Sequence, residues 1–288
     1  MLIYRCLDKF GLGDTLRSIF AFFVYCKIND IPFFLYLNDS KLKNYISDSF
    51  EKNKKLVELL LKDADGNRLE LSSERFPKTE FFIDVNDGLK KFLDDVKDDN
   101  GGMYIVCSNL FDFVTFEQMS KYKKDFLLFL KFKKVVLERV DTLYNTIEDD
   151  FTAIHIRCGD KYMDNINCFG DERIKPNVAY GRVLNIMNYL KQKFGLKVMI
   201  FTDNNYLKTR FSQNTFNTKI GHTVTTNNTD ELLDAVVEFV LLGFSVSTVT
   251  LTNSGFSFWP SFIYDVPLFM YIHEDEELKE FLVSDLKY

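Results

Sequence analysis

Histidine and cysteine are scarce in this sequence of 288 residues. The three histidines, His155, His222 and His273, stand far apart along the chain, so a structural zinc site is not expected. The five cysteines, Cys6, Cys26, Cys107, Cys158 and Cys168, are odd in number and form no C-x-x-C pair. That usage fits reduced thiols in a cytosol-like compartment. Positive charge is also in deficit. A net charge of −6 and a pI near 5.3 exclude the general basic field with which nucleic-acid binders collect phosphates, so any phosphate contact must come from a local cluster. Long apolar runs are missing: the stretch from Ile19 to Cys26 is too short to span a bilayer, and the opening residues lack the apolar core of a signal peptide. A soluble, cytoplasmic protein with no transmembrane segment is therefore expected. No repeat, low-complexity tract or flexible linker interrupts the chain, and 46% hydrophobic residues are ample for burial, which sets disorder aside.

What is abundant is phenylalanine, thirty residues of it, read here as core filling rather than an adhesive surface. The length favours two domains of roughly 150 residues over one large α/β unit. Leu2 to Leu7 reads as a strand running through Phe10-Gly11-Leu12-Gly13-Asp14 into an apolar helix from Thr15 to about Ile28. Further strands are expected at Phe33 to Leu37, Glu80 to Val85 and Met103 to Ser108. Helical spacing from Lys121 to about Ile147 predicts a connecting helix, with the domain boundary near Asp149, giving residues 1–148 and 149–272. The second domain reads as strict alternation. Strands are expected at Phe151 to Arg157, Lys197 to Thr202, Ser247 to Leu251 and Leu268 to Tyr271, and helices at Val178 to Phe194, Asp230 to Leu242 and Phe256 to Tyr264. Such a pattern predicts a parallel, doubly wound sheet. An acidic helix from Glu274 to Leu286, within the closing residues 273–288, is expected to pack back on the first domain.

Four segments could carry chemistry. In Phe151-Thr-Ala-Ile-His-Ile-Arg-Cys-Gly-Asp-Lys161, His155 and Arg157 are two residues apart and so share one strand face where the strand ends. Arg157 offers a planar fork for a diphosphate, Lys161 a second positive charge, and Asp160 a carboxylate to hold the arginine; a buried ion pair with a core histidine is the alternative. Asp203 ends the next strand and could accept two hydrogen bonds from a guanine edge, or could simply cap the helix beginning near Asn205. Ser254-Gly255-Phe256-Ser257 joins a strand to an aromatic helix, a ready phosphate seat or a plain capping motif. Gly11, Gly13 and Arg17 repeat that logic in the first domain, facing the expected cleft; without a third glycine or an acidic ribose marker, a nicotinamide site is not supported. Asp63-Ala64-Asp65 looks like a metal-binding D-x-D, but its turn-forming surroundings speak for surface.

In this order the four segments resemble the fucosyltransferase superfamily that includes α1,2-, α1,6- and protein O-fucosyltransferases. Gly11-Leu-Gly-Asp-Thr-Leu-Arg17 resembles its glycine-rich first loop, His155-x-Arg157-x-x-Asp160-Lys161 its H-x-R-R-x-D motif, Phe201-Thr-Asp203 its F-S-D, and Ser254-Gly-Phe-Ser257 its S-S-F-S. The resemblance implies an α/β protein of GT-B type, two Rossmann-like lobes with parallel sheets and a cleft between them. It implies GDP-fucose as donor, a glycan or glycoside acceptor, no metal or other cofactor, and inversion at the sugar's C1. By carry-over Arg157 grips the β-phosphate, His155 and Asp203 the guanosine, and Ser254 and Ser257 the diphosphate. The family's second arginine is Cys158 here, so Lys161, Arg17 or Arg173 must supply the missing charge. Inversion needs a base, for which Asp164 is favoured over Asp171 and Glu172. A transferase using another nucleotide sugar, and a catalytically silent nucleotide-sugar-binding protein, are the competing readings. The absence of an anchor fits glycan assembly in a bacterial or viral-host cytosol.

Overall fold

A computed structural model describes residues 1–8, 11–47, 49, 85–98, 104–108, 110–145, 150–157, 176–194, 197–212, 218–220, 229–251, 254–272 and 277–280. The chain divides into two compact units, Met1–Lys133 and Lys134–Tyr288.

In the first unit, β1 (Leu2–Arg5) lies between β2 (Phe33–Tyr36) and β3 (Tyr104–Val106), both parallel to it. Helix α1 (Leu12–Ile28) is apolar almost all round, and an element of that composition must be covered on every side. Phenylalanine does the covering. Phe20 stacks on Phe126 with centroids 4.4 Å apart, while Phe23 meets Phe33, Phe126 and Phe129. The Tyr4 hydroxyl donates to the Ser108 carbonyl at 2.5 Å, tying β1 to the exit of β3. The core reading of phenylalanine therefore holds here. Helix α2 (Val85–Asp98) begins at Val85, where a strand was expected to end; residues 80–84 lie outside the described ones.

The long helix expected from Lys121 is instead α3 (Phe116–Lys121), α4 (Lys123–Phe129) and α5 (Lys134–Asn145). Thr115 and Gln118 form a capping box that starts α3, and Tyr122, at φ −111° and ψ 10°, breaks the path so that Phe126 and Phe129 reach α1. A further break follows where Phe132 bridges Ile46 and the Lys133 N–H bonds to the Tyr45 carbonyl. The units divide just after that bridge, ahead of α5.

The second unit holds a six-stranded sheet in the order β6-β5-β4-β7-β8-β9. Its strands are β4 (Phe151–Ile156), β5 (Lys197–Thr202), β6 (Thr218–Ile220), β7 (Ser247–Thr250), β8 (Leu268–Ile272) and β9 (Glu277–Glu280), parallel except for β9. The helices between them are α6 (Pro176–Phe194), α7 (Asn205–Ser212), α8 (Thr229–Phe244) and α9 (Gly255–Tyr264). Every residue of β4 is buried, as a central parallel strand covered on both faces requires. The expected closing helix is corrected: Glu277–Glu280 is a strand antiparallel to β8, with Ile272 opposite Glu277. Acidic helical spacing is a weak signal against the unfilled hydrogen bonds of β8's open edge, and Glu and Lys are usual residue types on the strand that closes a sheet. Among the described residues no helix is long and apolar enough to cross a membrane.

Cys6 and Cys26 are buried, and burial pushes each thiol from its ordinary 9.0 up to about 12. Between those values the unfolded chain ionises its thiols while the folded chain keeps them protonated. Their contribution to stability is thus complete below about pH 9 and is lost as pH rises towards 12. Urea midpoints measured against pH should fall above about 9, and neither thiol should react with a disulfide reagent until the protein unfolds.

Candidate functional site

The chain leaves β4 in both directions, adding β5 and β6 on one side and β7 and β8 on the other. This reversal creates a switch point beside β4 at the carboxyl ends of the strands, the place where open α/β sheets take their ligands. Three of the four sequence segments end there. Arg157 is the first residue past β4; Asp203 is the first past β5, whose Thr202 is in register with Ile156; Ser254 to Ser257 follow β7, whose Thr250 is in register with His155.

Alternation along β4 sorts the side chains. Ile154 and Ile156 join an apolar cluster with Val183 and Ile186 of α6 and Leu207 and Phe211 of α7. His155 therefore faces the other way. Its ring, 5% exposed, lies against Phe256 with centroids 5.4 Å apart and planes tilted by 32°. Phe239 of α8 meets the same Phe256 ring edge-on at 6.2 Å. By the same alternation Arg157, half-buried, is placed towards the His155 side of the sheet.

The capping alternative for Asp203 is answered by its neighbour. The Asn204 side-chain oxygen accepts the Leu207 N–H at 3.1 Å, and the Asn204 N–H donates to the Thr202 hydroxyl at 3.2 Å. Asn204 is thus the N-cap of α7, and Asp203 stands half-buried at the strand end ahead of it.

At the β7–α9 turn, Ser254 caps the helix: its hydroxyl accepts the Phe256 N–H at 3.3 Å, and its carbonyl accepts the N–H groups of Ser257 at 3.1 Å and Phe258 at 3.0 Å. Ser257 is fully buried, with its hydroxyl 3.2 Å from the Thr250 hydroxyl and 3.0 Å from the Ser254 carbonyl. It faces inward and holds the turn. Gly255 opens the helix, so the positive end of α9 is directed at the switch point.

In the first unit Gly11 is the N-cap of α1, its carbonyl accepting the Thr15 N–H at 2.9 Å, and Gly13 is buried within the helix. Arg17 is engaged locally. Its Nη2 is 3.1 Å from an Asp14 carboxylate oxygen, and its guanidinium lies 4.1 Å from the centre of the Phe111 ring. Cys158, Asp160, Lys161, Asp164, Asp171, Glu172 and Arg173 lie outside the described residues, as do Asp63 and Asp65. Among the described residues no three His, Cys, Asp or Glu side chains gather as a metal site. Sequence reasoning missed Asn204 and Thr250. An Asn three residues before Leu207 was a visible capping signal, whereas a threonine in a buried strand reads only as a good β-former.

An open parallel sheet with strand-end histidine, arginine and aspartate beside a helix N-terminus defines an α/β protein with phosphate-seat geometry at its switch point. Solved structures give the particular type. NodZ α-1,6-fucosyltransferase, soaked with GDP-fucose, aligns at a TM-score of 0.61 and 12% identity over 97% of this chain and 98% of its own; a further NodZ structure is from Bradyrhizobium. A FUT1 variant from Arabidopsis thaliana in complex with GDP aligns at 0.56 and 13% identity, over 97% of this chain and 73% of its own. POFUT1 in complex with GDP aligns at 0.52 and 12% identity, over 93% and 98%. The chain has the fold of these fucosyltransferases, α/β of GT-B type. No family model and no curated protein sequence matches it.

Proposed function

We propose that the protein is an inverting, metal-independent glycosyltransferase that moves fucose from GDP-fucose to a glycan or glycoside acceptor. One observation carries the reading: the segments containing His155 and Arg157, Asp203, and Ser254 to Phe256 come from adjacent strands and meet at one switch point. That arrangement suits a nucleoside diphosphate. Arg157 supplies a bidentate fork to the β-phosphate, the α9 N-terminus with Ser254 and Gly255 supplies oriented N–H groups, and Asp203 and His155 serve the guanosine. Phe256 orients the His155 ring, and Ser257 holds the turn from within. Arg17 is paired with Asp14, which leaves Lys161 or Arg173 to replace the charge missing at Cys158, with Asp160 assigned to hold Arg157. The acceptor hydroxyl attacks C1 from the side opposite GDP and the C1–oxygen bond to the β-phosphate breaks. The proton passes to the Asp164 carboxylate and GDP departs with the bonding pair. Gly11 and Gly13 are assigned to the acceptor side in the first unit.

Titration calorimetry with GDP, GDP-fucose and UDP tests the proposal. Both guanosine ligands are expected to bind, UDP at least about tenfold more weakly, and transfer should persist in EDTA. No binding of GDP ends the proposal, and GDP binding without donor hydrolysis or transfer would mark a silent nucleotide-sugar binder. Asp203 carries the base preference. Wild type should prefer GDP over IDP, which lacks the 2-amino donor, by about tenfold, and Asp203→Asn should erase that margin.

A further inference from the structure

Resting on the donor site proposed above, the geometry points to Thr250 and Ser257 as positioning residues: two buried hydroxyls that set the turn bearing Ser254, Gly255 and the Phe256 ring beside His155. Thr250 is the last residue of β7 and the register partner of His155, and the next N–H, that of Leu251, reaches the His155 carbonyl at 3.4 Å. Strand position is therefore transmitted to Thr250 by the sheet itself. From there the path continues through side chains. The Ser257 hydroxyl lies 3.2 Å from the Thr250 hydroxyl and 3.0 Å from the Ser254 carbonyl, so one buried oxygen ties the strand end, the turn and the first turn of α9 together. The Ser257 hydroxyl is the donor to both acceptors, its single proton facing the Thr250 hydroxyl and the Ser254 carbonyl at once, so the strand end and the turn are held by one group. Thr250 and Ser257 are 2% and 0% exposed, so water is not at hand to replace a lost partner. Phe256 lies between the tie points, which sets where its ring meets the His155 ring, 5.4 Å away.

Valine keeps the shape and β-preference of threonine, so Thr250→Val removes the hydroxyl from the turn with little change in packing. Thr250→Val and Ser257→Ala are each expected to weaken GDP about tenfold, as losing one buried hydrogen bond does. Thr250→Ser keeps the oxygen and should bind GDP as wild type does. The double variant should bind no more weakly than the weaker single one, because the two hydroxyls act as one unit. Tm should fall by about 2–8 °C, the cost of one buried hydrogen bond, and emission from Trp259, the only tryptophan and a buried residue of α9, should shift in the weak binders. If wild type fails to bind GDP, the donor reading falls and this inference with it. If wild type binds and both single variants match it, or Thr250→Ser binds as weakly as Thr250→Val, or affinity falls only in step with Tm, the positioning role alone is overturned.

Discussion

Arg157→Ala is expected to lower kcat/KM for GDP-fucose by about 10³-fold while leaving Tm within a few degrees of wild type. The two halves of that result have separate physical causes. Fold stability in this region comes from Ile154 and Ile156, which are fully buried among the side chains of α6 and α7, whereas Arg157 stands past the strand's last residue and is only half-buried. Removing it opens no cavity in that core. Catalysis is a different matter. In the proposed reaction the departing diphosphate gains negative charge as the C1–oxygen bond breaks, so a guanidinium on the β-phosphate would bind the transition state more strongly than the ground state. Loss of one such donor costs about 10²–10³-fold, and a charged bidentate one more. With cysteine at 158 the motif's adjacent arginine is missing, which should make Arg157 harder to replace. Arg157→Lys keeps the charge without the fork and should recover only part of the rate. Asp164→Asn provides the contrast: GDP affinity should survive while kcat falls, since a base acts on the acceptor and not on the nucleotide. GDP affinity near wild type in Arg157→Ala would remove this residue from the donor site.

The parts of the fold that could be read in advance are those where local chemistry and tertiary demand agree. β5 was expected at Lys197 to Thr202 and lies there, because a short β-branched and apolar run in a central strand meets the same requirement at both levels. The helix that opens at Gly255 agrees within a residue for the same reason. Disagreement came where distant partners decide. Nothing local in Lys121 to Phe132 announces that Phe126 must stack on Phe20, or that Phe132 pairs with Ile46, yet these contacts break one helix into three. Likewise Glu277–Glu280 carries helical spacing, and the open edge of β8 outweighs it. At the proposed site, His155, Arg157, Asp203 and Ser254 stand out in the sequence by residue type, and the sheet brings their segments to neighbouring strand ends. Thr250 and Asn204 act through geometry, one as a register partner and one as a cap, and register is a property of the sheet rather than of any single strand.

The largest effect expected on stability is at Gly243, which is not among the candidate ligand residues. Gly243 is in the last turn of α8, where helix propensity alone predicts that alanine would stabilise by about 1 kcal/mol. Packing predicts the opposite sign. A Cβ at this position would lie 2.4 Å from Cδ2, 2.5 Å from Cγ and 2.8 Å from Cε2 of Tyr264, the last residue of α9. Cγ is fixed close to the backbone, so the ring cannot swing clear without moving α9. The ring also lies beside Phe244, centroids 6.2 Å apart, and burial pushes its phenol up to about 12. Overpacking of this kind costs about 1–3 kcal/mol for alanine, and valine should reach or exceed the upper figure. In urea denaturation the midpoint should fall with little change in slope. A partner substitution separates the causes: in a Tyr264→Ala background the added methyl meets no ring, and Gly243→Ala should turn neutral or stabilising. Because α9 begins at the Ser254 turn, a shift of its far end should also reach the proposed nucleotide seat, so folded Gly243→Val protein should bind GDP more weakly than wild type. A Gly243→Ala protein as stable as wild type with Tyr264 in place would show that the two helices are less firmly locked than their spacing requires.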